Sequence, residues 1–300
     1  MKKKTYLFAL MAMALTLGSC SDNENGIGGE TSKYITVSTS IGNMTRVATD
    51  EKGGQTFEEG DEISVYAWTG DATVAPETRE RVVNNAINKL TNGSWISNPQ
   101  MLWKNNRDKH YFIGVYPISA ISDLSAGEYT FDETKQVESD LLVAVNKDGL
   151  SYNVDEQQTV PLIFTHVMAK LVVNLTYKNQ WGGIPTVEKV VVGNAAKEAT
   201  INYLTKVVTP STTAKEDFSL PEITENTKYV SVIIPQEEVT QLTIVIGGKN
   251  FVYDNGTPFK LESGKITTVN LEVGRDEIKL GDVKITNWED GSTFSGEALN

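Results

Sequence analysis

Cys20 carries the sharpest chemical signature in the chain and is its only cysteine in 300 residues. It follows Leu17-Gly18-Ser19, and small residues ahead of a cysteine form the pattern read by the lipoprotein signal peptidase. Cleavage there would make Cys20 the first residue, with its sulfur and its new amine open to acylation. Each buried acyl CH₂ contributes about 0.8 kcal/mol, so several chains on one residue anchor a protein stably. The lone cysteine also excludes an internal disulfide, and acylation would remove a free thiol that is a liability in an oxidising compartment.

Catalytic chemistry has little to work with. His110 and His166 are the only histidines, and both sit in apolar, strand-like surroundings that suit a hydrogen-bonded structural imidazole better than a general base. Neither adjoins a serine elbow, and no P-loop, paired-histidine zinc or EF-hand spacing is present. No enzymatic activity, metal or cofactor is therefore expected. The 39 acidic residues include no pair that spacing singles out for glycoside hydrolysis, so they read as solvated surface. Trp68, Trp95, Trp103, Trp181 and Trp288 could stack on a sugar, but tryptophan also fills sandwich cores. Trp181, in the turn Asn179-Gln-Trp-Gly-Gly183, is the candidate exposed aromatic.

The elements that must position these residues begin with a targeting segment over 1–19. Lys2, Lys3 and Lys4 precede an apolar run from Tyr6 to Leu17, shorter than the roughly 20 residues that span a bilayer. Removing that segment takes the formal net charge from -12 to -15, so nucleic acid and anionic headgroups are not expected partners. Residues 20–33 read as a flexible tether, because Ser21 to Glu30 is acidic and glycine-rich.

From Tyr34 onward the pattern is period two. Strands are expected over Tyr34–Ile41, Glu62–Trp68, His110–Tyr116, Asp140–Val145, Lys170–Thr176 and Val187–Val192. Further strands are expected over Tyr229–Ile234, Leu242–Ile246, Asn250–Tyr253 and Ile266–Val273. Gly247-Gly248, Asn255-Gly256 and Asn92-Gly93 supply the positive φ of tight hairpins. One helix is suggested over Arg79–Leu90 by the spacing of Val82, Val83, Ala86, Ile87 and Leu90, against the poor helix formers Asn84 and Asn85. The fold class is all-β, in two tandem domains of ~130 residues each, at 34–165 and 166–300.

Six segments occur in order: Thr45-Arg46, Phe57-Glu-Glu-Gly-Asp-Glu-Ile-Ser-Val-Tyr66, Trp95 with Trp103, Phe164-Thr-His-Val-Met-Ala-Lys-Leu171, Ile233-Ile-Pro-Gln236 and Leu261-Glu-Ser-Gly-Lys265. Together they resemble the fimbrillin family, the lipoprotein subunits of type V pili. The resemblance implies two transthyretin-like β-sandwich domains, export to the outer membrane surface, and a cut after Arg46 by a trypsin-like surface protease. That cut would remove Tyr34–Ile41 and open a groove filled by a strand of another fimbrial subunit. By position alone Arg46 reads as a solvated loop arginine, and it is the resemblance that raises processing beside it.

A missing sheet strand exposes unpaired N–H and C=O groups and apolar pockets that an extended segment can satisfy. The stretch Val283-Lys-Ile-Thr-Asn-Trp288 is the candidate donor, through Val283, Ile285 and Trp288. It could instead pair within its own second domain. The competing function is a surface glycan-binding lipoprotein of a nutrient-uptake system, which would keep Tyr34–Ile41 and use an exposed tryptophan such as Trp181.

Overall fold

The computed structural model describes residues 33–42, 56–153, 155–156 and 158–288. Eight strands come first: β1 (Thr36–Ile41), β2 (Glu62–Thr69), β3 (Val83–Thr91), β4 (Ser94–Asn98), β5 (His110–Tyr116), β6 (Gly127–Thr130), β7 (Leu142–Leu150) and β8 (Thr159–His166). Eleven follow: β9 (Ala169–Tyr177), β10 (Val187–Ala196), β11 (Glu198–Asn202), β12 (Val207–Pro210), β13 (Lys215–Ser219), β14 (Glu222–Thr224), β15 (Lys228–Ile233), β16 (Gln236–Ile246), β17 (Lys249–Leu261), β18 (Lys265–Val273) and β19 (Ile278–Asn287). Two short 3₁₀ segments, Thr78–Glu80 and Asn179–Trp181, interrupt the strands. The chain is all-β, as its alternation dictates.

A seven-stranded sheet runs β1-β8-β7-β5-β2-β3-β4. The second half of the chain builds a five-stranded sheet, β14-β15-β9-β18-β19, and a four-stranded sheet, β13-β10-β16-β17. A small sheet, β12-β11-β6, takes β6 from the first half and two strands from the second. Two cores result. The larger joins Tyr66, Trp68 and Phe131 to β9, β10, β15 and β16, whereas the smaller lies within the seven-stranded sheet around Ile35, Val37, Phe112, Leu162 and Phe164.

The helix suggested for Arg79–Leu90 is mostly strand, with Arg79 and Glu80 in the 3₁₀ turn and β3 beginning at Val83. Opposite β2, the register passes from Val65↔Ala86 to Ala67↔Val83, so β3 carries one extra residue there, and Asn85 takes φ 54°. That bulge turns Val83 and Ala86, three apart, to the same buried face. A spacing of three is also helical, which is why the apolar pattern misled.

Asn255-Gly256 likewise does not end a hairpin, because β17 continues past it and keeps pairing with β16, from Gln241↔Asp254 to Val239↔Phe259, around the extra residues. The other two turns form as expected. Asn92 and Gly93 (φ 51° and 72°) join β3 to β4, and Gly247 and Gly248 (φ 59° and 73°) join β16 to β17.

Candidate functional site

β1 is the strand whose surroundings differ most from the rest. It pairs parallel with β8 over Thr36↔Thr159 to Ile41↔Phe164. Alternation sends Ile35 and Val37 into the core, where they are 1% and 6% exposed, and burial of each such side chain contributes about 1.5–3 kcal/mol. Just before the strand, the Ile35 N–H donates to the Met101 carbonyl (3.0 Å) and the Trp103 N–H donates to the Lys33 carbonyl (3.2 Å). Thr39 Oγ1 accepts from Trp95 Nε1 at 3.0 Å. The sheet thus curls until its two ends meet across β1.

β8 depends on that strand. β7 pairs only with its last three residues, Phe164 to His166, so Thr159–Ile163 has β1 as its only strand partner among the described residues. Taking β1 away would leave that backbone unpaired on both edges and uncover the seats of Ile35 and Val37. Beside β1 lies an open cleft of about 470 Å³, lined by Val37 to Ile41, Phe57 and Trp95 among others. Phe57 closes its floor, edge-on to Trp95, Tyr116 and Phe164 at centroid distances of 5.3, 5.4 and 5.1 Å.

The candidate donor segment is the end of β19. In this structure it is an edge strand of its own chain, antiparallel to β18 from Lys265↔Asn287 to Val273↔Ile278. Its hold on the core is light: Val283 is half-buried and packs on the larger core, while Ile285 is 39% exposed. Trp288 is different, being only 5% exposed. Its ring stacks on His166 at 4.0 Å and 5°, Lys170 Nζ stands 4.8 Å from its centroid, and its backbone N–H donates to the Gly264 carbonyl at 3.1 Å. His166 Nδ1 lies 2.7 Å from Asp140 Oδ1. Burial holds the Lys170 ammonium below its usual pKa, with Asp140 opposing the shift.

Of the other sequence candidates, Trp95 lines the cleft beside β1 and Trp181 does not. Cys20 and Arg46 lie outside the described residues. Trp181 is half-buried and not an open platform: Nε1 donates to the Val273 carbonyl (3.0 Å), one face meets Phe251 and Arg275 lies over the ring. Trp68 and Trp103 are buried and Trp95 is partly so. His110 is fully buried, with Nε2 accepting from the Lys104 N–H (3.0 Å) and Nδ1 facing the Asp108 carbonyl (3.1 Å). Burial lowers its pKa, which favours a neutral structural imidazole.

Sequence reasoning missed Asp140, Lys170 and Phe57 as parts of the site. His166 and Lys170 stand in the quoted Phe164–Leu171 segment, but their meeting with Trp288, more than a hundred positions away, leaves no local signal.

A family model described as fimbrillin-like matches residues 45–288. The chain is similar to a Bacteroides uniformis protein provisionally named fimbrium subunit Fim1C, with 24% identity over 315 aligned positions and 97% of each chain covered. In fold it is similar to a proposed cell adhesion protein from Bacteroides ovatus, with TM-score 0.64 and 17% identity over 85% of this chain and 98% of that one. It is also similar to a proposed cell adhesion protein from Bacteroides uniformis, with TM-score 0.60 and 18% identity over 86% of this chain and all of the other.

Proposed function

We propose, from the premise that this chain belongs to the fimbrillin-like family, that it is a structural or accessory subunit of a surface fimbrium that supports cell adhesion. In this reading it is exported as a lipoprotein and anchored in the outer membrane through Cys20. A trypsin-like surface protease cuts after Arg46 and releases β1, and an extended segment of a neighbouring subunit takes the vacated place. The name of the Bacteroides uniformis relative supports the fimbrial assignment.

One observation carries the assembly step: five residues of β8, Thr159 to Ile163, depend on β1 for strand pairing. Loss of β1 would create unmet hydrogen-bonding groups beside apolar pockets, and an incoming strand meets both needs at once. The alternation of β19 fits those pockets. Val283 and Ile285 would take the seats of Ile35 and Val37, which places the Asn287 amide where Thr39 now meets Trp95 Nε1. The division into units 34–165 and 166–300 belongs to the same reading, supported by a seven-stranded sheet drawn wholly from strands before residue 167.

The test is N-terminal sequencing of protein taken from the cell surface, joined to electron microscopy with antibody against this chain. Val47 as the first residue and labelled filaments are expected, both lost in Arg46→Ala. Chains that all begin at Cys20, with no filaments, would end the proposal.

A further inference from the structure

We infer that Trp288 acts as a clasp holding β19 in its own sheet, and that the seat of this clasp is built on β8, so that displacement of β1 loosens the last strand. The inference rests on the proposed donor role of β19 for its biological purpose, but its geometry stands without that role.

Three observations carry it. First, the side chains of β19 are shallowly buried except at its end. Its burial pattern along Ile278–Asn287 includes no fully buried side chain, whereas Trp288, immediately after it, is 5% exposed. Gly281 also makes a bulge in the ladder with β18, between Asn270↔Asp282 and Leu271↔Leu280, which interrupts the pairing midway. Ile278, Leu280 and Val283 pack on the larger core only partly buried, so the one buried apolar group at this edge strand is the indole.

Second, that indole does not rest on β18 alone. One face lies flat on His166, the last residue of β8, at 4.0 Å, and Lys170 at the start of β9 reaches over the ring at 4.8 Å. His166 is itself oriented by Asp140, which lies just ahead of β7. The clasp therefore joins the end of β19 to the seven-stranded sheet.

Third, β8 is a continuous strand with β1 along one edge and His166 at its end. Ile41 pairs with Phe164, and the Gly42 N–H donates to the Phe164 carbonyl at 2.8 Å, two residues before His166. Once β1 leaves, only Phe164–His166 remains laddered, to β7. The imidazole that supports Trp288 then stands at the end of a strand that has lost most of its pairing. Opening of one edge and release of the other would be linked through this strand, with a preformed seat holding the terminal segment until then.

The test is hydrogen exchange read by mass spectrometry on the full chain in detergent, comparing wild type with Trp288→Ala, Trp288→Phe and Val37→Asp. Trp288→Ala should speed exchange across Ile278–Asn287 by tenfold or more and leave β9 and β15 unchanged, while Trp288→Phe stays near wild type. Val37→Asp, which drives β1 out of the core, should speed exchange in Thr159–Ile163 and raise that of β19 several-fold. Should that variant also unfold β2 and β5, Val37→Ala serves in its place with a smaller effect of the same kind.

Unchanged β19 exchange in Trp288→Ala would overturn the clasp. Fast exchange in Thr159–Ile163 with β19 unmoved would overturn the linkage. Neither readout involves filaments, so a chain that never polymerises yet shows both effects would refute the proposed function and leave this inference standing.

Discussion

Phe164 leaves no room for a side chain at position 114, where a Cβ would stand 2.7 Å from the ring's Cζ and 3.1 Å from Leu162 Cδ1. The ring is fully buried and held edge-on by Phe57, so it cannot swing aside. Gly114→Ala should destabilise the protein by about 1–3 kcal/mol, seen as a lower urea midpoint with the slope unchanged. His110 predicts a pH effect. Its folded pKa lies below the ordinary 6.5 because burial penalises the charged ring, so between those two values the unfolded chain binds the extra proton. Stability should fall as pH drops below about 6.5, level off beneath the folded pKa, and be unaffected above the window. Urea midpoints from pH 7.5 to 5 check this, and the fall should shrink in His110→Gln. The burial of both histidines was legible from their apolar settings. The partners were not, because Lys104 and Asp140 reach them through the fold and not through a motif.

At the scale of elements, the strands with strong alternation and clear turns lie where the sequence puts them, and β5 matches residue for residue. The losses have separate causes. β11 to β14 are three to five residues long, too short for a period to register. β8 alternates cleanly, but Pro161 argues against a strand. The structure shows why proline is tolerated there: the ladder to β7 has not yet begun at that point, so one edge of the strand asks for no N–H. The tight turn at Gly247 offers a clean test of backbone conformation. Its φ is 59° and no atom lies within 4 Å of where a Cβ would stand, so Gly247→Ala meets strain without collision. A cost of about 1–2 kcal/mol is expected, measured by thermal or urea unfolding, with the β16–β17 register retained in amide exchange.

For the molecule as a whole, the stretch from Ile121 to Asp140 matters most, because it leaves the first half to serve the second. β6 pairs with β11, Phe131 packs edge-on to Phe218 at 4.8 Å, and buried Gln136 Oε1 accepts from the Val232 N–H at 2.7 Å and from Ser231 Oγ at 3.2 Å. The side-chain amide covers part of the edge of β15 that the short β14 leaves open. Length and spacing suggest two tandem units but carry no sign of this exchange of a segment, since nothing local marks where an extended stretch will dock. The shared core predicts that the halves melt together. Calorimetry should show one transition whose calorimetric and van't Hoff enthalpies agree, and two separated peaks would contradict it. The parallel sense of β1 on β8 has a last consequence. A replacement strand that reproduces those bonds must enter in the same direction as the one it replaces; in the proposed assembly donor and groove are different surfaces of the chain, so every junction would be heterologous. A fibre built from such junctions would have unlike ends, one presenting an empty slot and the other an unused strand, and would lengthen with a fixed polarity.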